Sequence, residues 1–312
     1  MTNKNRILVT GAGGYIGSVL TRKLLEHNYE LNILDTNIKN NLYLKALIEN
    51  KKINAFEGDI RDIEVVKKAL NAADVLIHLA GMSDGRMGKK NPKLTKEVNF
   101  NSFENILVIA RQSGVKRVLF ASTSGVYGNK YNETLTEYLK PDPADPYSES
   151  KLNCEKMLSS YSDNCFTTCS VRSAMVYGSS PNMRFDFLIN QLIKIAIEKS
   201  KLSILGGTQK RPQIHINDLS DVFLKLITVN SNSITKQSFN AVTFNPTVLD
   251  LAKAIKELIP ATEIEILPPR KGEETFELDG SKLSNVIGPY HKTSLTEGIE
   301  EIILKLKANE MD

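Results

Sequence analysis

The sequence predicts an α/β protein, a doubly wound parallel sheet carrying a smaller C-terminal α/β lobe. Three observations predict it. Short apolar runs alternate with helical patterns from Arg6 to Val171, the signature of βαβ units with right-handed crossovers. Two of those runs, Val75-Leu76-Ile77 and Val118-Leu119-Phe120, are apolar at every position, as strands covered on both faces require. Beyond Val171 the rhythm loosens into turns, single helices and isolated strands.

The elements follow in order. Arg6–Thr10 reads as a strand, Ser18–His27 as a helix with Val19, Leu20, Leu24 and Leu25 at helical spacing, and Leu31–Leu34 as a strand ending in Asp35. Asn41–Glu49 reads as helix, Ile53–Phe56 as strand, Asp62–Leu70 as helix and Val75–Leu79 as strand. A long helix spans Leu94 to about Ser113, and Arg117–Ala121 is a strand. A helix holding Tyr147 and Lys151 runs to about Tyr161, followed by the strand Phe166–Val171. Tyr177–Asp186 reads as loop, Phe187–Lys199 as amphipathic helix and Gly206–Pro212 as turn. Gln213–Ile216 is a short strand before a helix with Asp218 near its start, and Phe239–Val242 a further strand. Val248–Leu258 is helical, Ile264–Leu267 a strand, and Leu295–Lys307 a final helix. Residues 1–173, with a return segment at about 212–243, make one domain, and 174–312 a lobe closing over the carboxyl edge of the sheet.

The chain has 312 residues, a net charge of +4 and three cysteines, Cys154, Cys165 and Cys169. Its basic pairs are scattered, which argues against a nucleic-acid partner. An odd cysteine count without Cys-x-x-Cys argues against a disulfide framework and a zinc site, and Cys165 and Cys169, which flank an expected strand, are expected to be reduced core residues. The four histidines, at 27, 78, 215 and 291, show no metal-ligand spacing, so no metal is expected. The N-terminus passes directly into a strand, and no apolar run is long enough to cross a bilayer. A cytoplasmic protein without membrane association is expected.

Two motifs carry chemistry. Gly11, Gly14 and Gly17 lie between the first strand and the first helix, in Gly11-Ala12-Gly13-Gly14-Tyr15-Ile16-Gly17. Missing side chains let a pyrophosphate approach the backbone, and the helix N-terminus offers free N–H groups and a positive dipole end. An acid at the end of the second strand, Asp35, would accept from the adenosine ribose and repel a 2′-phosphate. The segment therefore reads as a Rossmann-type dinucleotide site that prefers NAD. The second motif is Tyr147-Ser148-Glu149-Ser150-Lys151, a Tyr-x-x-x-Lys spacing that puts both side chains on one helix face. A nearby ammonium favours the phenolate, making tyrosine a base able to take a proton from a sugar-type hydroxyl.

With these motifs in place the chain resembles the extended short-chain dehydrogenase/reductase family, in particular its NAD-dependent nucleotide-sugar epimerases and dehydratases of the UDP-glucose/UDP-galactose 4-epimerase type. The likeness rests also on Gly58-Asp59-Ile60-Arg61-Asp62, His78-Leu79-Ala80-Gly81, Val98-Asn99 and Ser122-Thr123-Ser124-Gly125-Val126-Tyr127-Gly128. The resemblance implies that Asp59 and Ile60 bind adenine, and that Leu79, Ala80 and Gly81 line the pyrophosphate and nicotinamide side. It implies that Asn99 kinks its helix beside the cofactor, that Thr123 binds the sugar O4, and that Lys151 also holds the nicotinamide ribose. Tyr15 and Ile16 belong to the same cofactor site.

The second half carries the likeness further. Val171-Arg172 to Val176-Tyr177-Gly178 resembles the family's Leu-Arg-x-x-Asn-Val-Tyr-Gly segment, with Met175 where asparagine is usual. Ser83, Arg184, Asn190, Arg211 and Arg270 fall where substrate contacts are expected, the last two as diphosphate arginines. The resemblance implies a nucleotide-diphosphate sugar as substrate, a homodimer, and oxidation at sugar C4 followed by return of hydride to the other face. A 4,6-dehydratase would carry Asp-Glu after Thr123, where this chain has Ser124 and Gly125. A keto-sugar reductase and a non-catalytic nucleotide-binding sensor or scaffold stand as alternatives.

Overall fold

The computed structural model describes residues 5–49, 53–83, 85–130, 133–269 and 275–309. The chain opens with β1 (Arg6–Thr10), α1 (Tyr15–Glu26), β2 (Glu30–Asp35), α2 (Leu42–Ile48), β3 (Ile53–Glu57), α3 (Ile63–Leu70) and β4 (Val75–His78). A short α4 (Gly85–Lys90) precedes α5 (Pro92–Lys96), a π-helical turn (Glu97–Asn101) and α6 (Ser102–Gln112). Then come β5 (Arg117–Thr123), a 3-10 turn (Ser124–Tyr127), β6 (Thr134–Leu135), α7 (Pro146–Tyr161) and β7 (Thr167–Ser173). The second half holds β8 (Met175–Tyr177), α8 (Leu188–Lys199), β9 (Lys201–Leu205), β10 (Gln213–His215), α9 (Ile216–Thr228) and α10 (Ser231–Ile234). It closes with β11 (Gln237–Ala241), α11 (Val248–Leu258), β12 (Glu263–Leu267), β13 (Glu277–Leu278), α12 (Ser281–Ile287) and α13 (Leu295–Asn309).

Seven strands form one parallel sheet in the order β11-β7-β5-β4-β1-β2-β3. The order reverses at β1, whose neighbours are β2 and β4. Ligands of such sheets bind at this switch point, beyond the carboxyl ends of the strands. Successive side chains of β1 face opposite layers. Ile7 and Val9 pack with Val19 and Leu20 of α1 and Phe223 of α9, whereas Leu8 packs with Phe103 and Ile106 of α6 and Leu158 of α7. A third cluster, built from Ile189 and Ile193 of α8, Leu251 and Ile255 of α11 and Ile299 and Ile302 of α13, is the core of the smaller C-terminal layer.

Several expected features differ. The long helix starts at Pro92 and contains the π-helical turn around Asn99. Strands β8 and β9 lie in stretches to which no element was assigned, apart from Tyr177 at the start of the expected loop, and each pairs with a distant partner, β10 and β12 respectively. Such short strands carry too little periodicity to be seen before their partners are placed. Cys154 and Cys169 are buried, but Cys165 is exposed. It stands outside β7, where Asp163 accepts from its backbone N–H, so it is a surface residue rather than a core one.

A candidate active site at the carboxyl edge of the sheet

A cavity of about 850 Å³ opens beyond the carboxyl ends of β1, β2, β4, β5 and β7. Its first half is built by glycine. Gly11 has φ +72° and lies so close to β4 that a Cβ would stand 2.9 Å from Ala80 N. A Cβ on Gly17 would fall 2.0 Å from Gly11 O, so α1 can pack on this turn only without a side chain there. Gly11, Gly14, Tyr15, Ile16 and Gly17 all line the cavity. Asp35 stands at the end of β2, where its carboxylate accepts from Gly13 N at 2.9 Å and Asn37 N at 3.1 Å. Asp59 and Ile60 form the next wall, and the Arg61 guanidinium bonded to Asp59 holds that carboxyl below the usual carboxylate range. Leu79, Ala80 and Gly81 close this half after β4.

The second half is built on α7. Asp145 caps the helix, accepting from Ser148 N at 3.0 Å, and Pro146 occupies the first turn. Tyr147 therefore begins a rigid helix, and Lys151 follows one turn later on the same face. The Lys151 ammonium lies 5.9 Å from the Tyr147 ring centroid and 4.7 Å from that of Phe120. It donates to Ala121 O at 2.8 Å. Burial pushes its pKa down to about 8, against the raising effect of Cys154 and Glu155. His78, stacked on Phe103 and bonded to Thr10 Oγ1 at 2.8 Å, lies under the same wall. Burial first, and Lys151 second, push His78 down to about 3, so no competing cation forms there.

Thr123 lines the cavity with Tyr147 and Lys151. Its Oγ1 accepts from Gly125 N at 3.1 Å, which leaves its own proton to donate elsewhere. Arg184 and Ser83 also line the cavity, with the Arg184 guanidinium donating to Ser83 Oγ at 2.6 Å. Asp186 forms a two-pronged pair with Arg184, and Phe187 lies beneath the guanidinium at 4.5 Å.

Three expected contacts fall elsewhere. Asn190 is fully buried and not part of the cavity wall. Its amide donates to Tyr15 Oη and Arg184 O and accepts from Gly178 N, because a buried amide must satisfy its polar atoms internally. It positions the wall rather than touching phosphate. Asn99 is likewise buried behind the wall, bonded to Met82 N, Met82 O and Ser150 Oγ. It shapes the helix but does not reach the cofactor groove. Arg211 lies outside the lining, its guanidinium 5.8 Å from the ring of Phe276, which does line the cavity. Arg270 lies outside the described residues. Residues in the wall to which the sequence reading gave no role include Lys89, Asp186, Phe187 and Phe276. None belongs to a motif with fixed spacing, so only the assembled fold could bring them together.

A glycine cradle, an acid at the end of β2 and a tyrosine–lysine pair in one cavity are the parts of a dinucleotide-dependent redox site. A sequence model of the NAD dependent epimerase/dehydratase family matches residues 7–241. The chain belongs to that family. The UDP-glucose 4-epimerase of Neisseria meningitidis serogroup C is 27% identical over 326 residues, covering 95% of each chain. UDP-glucuronic acid decarboxylase 1 of Danio rerio is 28% identical over 318 residues, 96% of this chain and 72% of that one. The solved UDP-glucuronic acid 4-epimerase from Bacillus cereus, in complex with UDP-glucuronic acid and NAD, superposes with a TM-score of 0.86 at 26% identity, covering 97% and 99%. NAD is thus the family's cofactor, and the cradle that a Cβ at Gly11 or Gly17 would fill is suited to hold its pyrophosphate. Among the described residues no cluster of metal ligands occurs, and no helix is long and apolar enough to cross a membrane.

Proposed function

We propose that the protein is a nucleotide-sugar epimerase acting at sugar C4 through a transient 4-keto intermediate. One observation carries the reading: Tyr147, Lys151 and Thr123 line a single cavity together with the glycine cradle and Asp35. Tyr147 takes the proton from the C4 hydroxyl and later returns it. Lys151 holds positive charge beside the phenolate and reaches the nicotinamide ribose. Thr123, whose Oγ1 already accepts from Gly125 N, donates to the sugar O4. Bound NAD supplies the hydride acceptor for the first half and the donor for the second. Asp35 meets the adenosine ribose and disfavours NADP, and Asp59 with Ile60 flanks the adenine.

The elimination chemistry of a 4,6-dehydratase is disfavoured by packing as well as by residue type. A Cβ on Gly125 would lie 2.6 Å from Ser148 Oγ, which Asp145 holds at 2.8 Å. An acidic side chain there would have to displace this hydroxyl from its bond to Asp145. Ser83 and Arg184 are assigned to the substrate, while Arg211, whose guanidinium lies 5.8 Å from the ring of the lining residue Phe276, stands beside the cavity rather than in its wall. The UDP-sugar relatives support UDP as the nucleotide. Leu94 and Val108, exposed on α5 and α6, support a homodimer formed through these helices. Analytical ultracentrifugation would check the dimer.

The direct test is to incubate the purified protein with UDP-glucose, UDP-galactose, UDP-N-acetylglucosamine and UDP-glucuronic acid and read the anomeric protons by NMR. An equilibrium mixture of 4-epimers with no net change in NAD is expected from one of these. Loss of water or carbon dioxide, or stoichiometric consumption of NADPH, would replace the reading with a dehydratase, decarboxylase or reductase. Tyr147→Phe should lower turnover by about 10²- to 10⁴-fold with NAD binding intact. A variant whose biological activity is unchanged would instead favour a sensor or scaffold.

A further inference from the structure

Lys151 is followed one turn later on α7 by Glu155, a buried carboxylate that the reaction does not consume. Both of its oxygens accept from Arg172 of β7, at 3.0 and 3.1 Å from Nε and 2.6 Å from Nη2. Ser122 of β5 donates its hydroxyl to the same carboxylate. Arg172 continues the chain, donating to Tyr127 Oη at 3.0 Å, and Tyr127 donates to Asn240 of β11 at 2.8 Å. Ser122 lies between Ala121, whose carbonyl receives the Lys151 ammonium, and Thr123. One carboxylate therefore ties the end of β5, the catalytic face of α7, β7 and β11.

We propose that Glu155 is a positioning residue for this end of the cavity: by gripping Ser122 and Arg172 it fixes the strand end that seats the Lys151 ammonium and presents Thr123. The proposal rests on the reading that Lys151 serves Tyr147. A buried ion pair alone does not imply such a role, since hydrophobic replacements of similar volume often stabilise a fold as well. The distinguishing feature is geometry. Glu155, Lys151 and Tyr147 share one helix face, and the hydroxyl that Glu155 accepts belongs to the residue between the two backbone positions the site uses. The charged and titratable groups facing Lys151 are Tyr147, Cys154 and Glu155 on α7 and His78 on β4; those facing Glu155 are Arg172 on β7 and Lys151 and Cys154 on α7. Glu155 is the acid among them that raises Lys151.

The test compares Glu155→Gln and Ser122→Ala with the unmodified protein. Lys151 is titrated by NMR on protein with carbon-13-labelled lysine, its signal identified by its loss in Lys151→Met. In Glu155→Gln the Lys151 midpoint should move to lower pH, because the negative neighbour is gone and Arg172 is released. In both variants kcat should fall about 10- to 100-fold while KM changes far less, the mark of misplacement rather than lost binding. A folded Glu155→Gln with the Lys151 midpoint and pH–kcat profile unchanged overturns the proposal. If Glu155→Gln does not fold, Ser122→Ala decides: a lower kcat with KM held supports the assignment, and an unchanged kcat overturns it. If no nucleotide-sugar is turned over at all, the Lys151 titration in Glu155→Gln still decides, so failure of the epimerase reading and failure of this one are separate results.

Discussion

Lys151 is a cation that the fold keeps out of water. Its ordinary value is near 10.4, and burial brings it down to about 8. The unfolded chain therefore holds this proton at pH values where the folded chain has released it. Between about 8 and 10.4 the unfolded state binds more protons, so the Lys151 contribution to stability rises with pH and is lost as pH falls through 8. Its upper size is about 3 kcal/mol. Cys154 and Cys169 act in the opposite sense. Burial pushes both up to about 12, so their contribution is complete below the free thiol value and declines above it. Denaturant midpoints from pH 7 to 10.5 should isolate the lysine: the unmodified apoprotein should gain stability relative to Lys151→Met across that range. Parallel curves for the two proteins would contradict the buried-cation account.

At the scale of elements, the site depends on how helices are made to begin and bend. α1 can start against β1 because Gly17 has no Cβ to strike Gly11 O. The helix after β4 bends through the π-helical turn, and Asn99 in that turn reaches back to both backbone atoms of Met82 and to Ser150. It ties the cavity segment 79–83 to α7. Asn99→Ala would leave these groups without partners, at about 1–3 kcal/mol. Calorimetric melting should show the loss, and titration with NAD should show weaker binding because Met82 lines the cavity. A melting point and NAD affinity both equal to those of the unmodified protein would show that Asn99 holds neither.

Across the whole molecule, the C-terminal helix is joined to the site by one acid. Glu301 of α13 accepts from His215 Nε2 at 2.7 Å and from the Ser179 backbone N–H. The loop after Ser179 then crosses to the cofactor side, where Ser180 Oγ donates to Tyr15 O and Asn182 Nδ2 to Gly13 O. Arg184 and Asp186 emerge from this same loop. Glu301→Ala should cost about 1–3 kcal/mol and, by loosening the wall that carries Arg184, raise KM for the nucleotide-sugar more than it lowers kcat. Steady-state kinetics with melting curves would check both parts, and an unchanged KM in a destabilised variant would limit Glu301 to a structural tie.

The sequence by itself determined the sheet, the glycine turn and the Tyr147–Lys151 pair, because each rests on local rules. Strand and helix periods are written in neighbouring residues, a glycine cradle needs residues missing side chains at fixed steps, and a helix brings every fourth residue to one face. Glu155 obeyed the same rule, one turn past Lys151, and was legible in principle. Only the tertiary structure decided which polar residues face the cavity and which are consumed behind it. Asn99 and Asn190 read as ligand contacts in the chain, yet they meet backbone and side-chain partners that folding buried beside them. Arg184 reads as a substrate contact in the chain, and only the fold shows Asp186 paired with it. The physical reason is that a buried polar atom must find a partner, and which partner it finds depends on segments far apart in sequence.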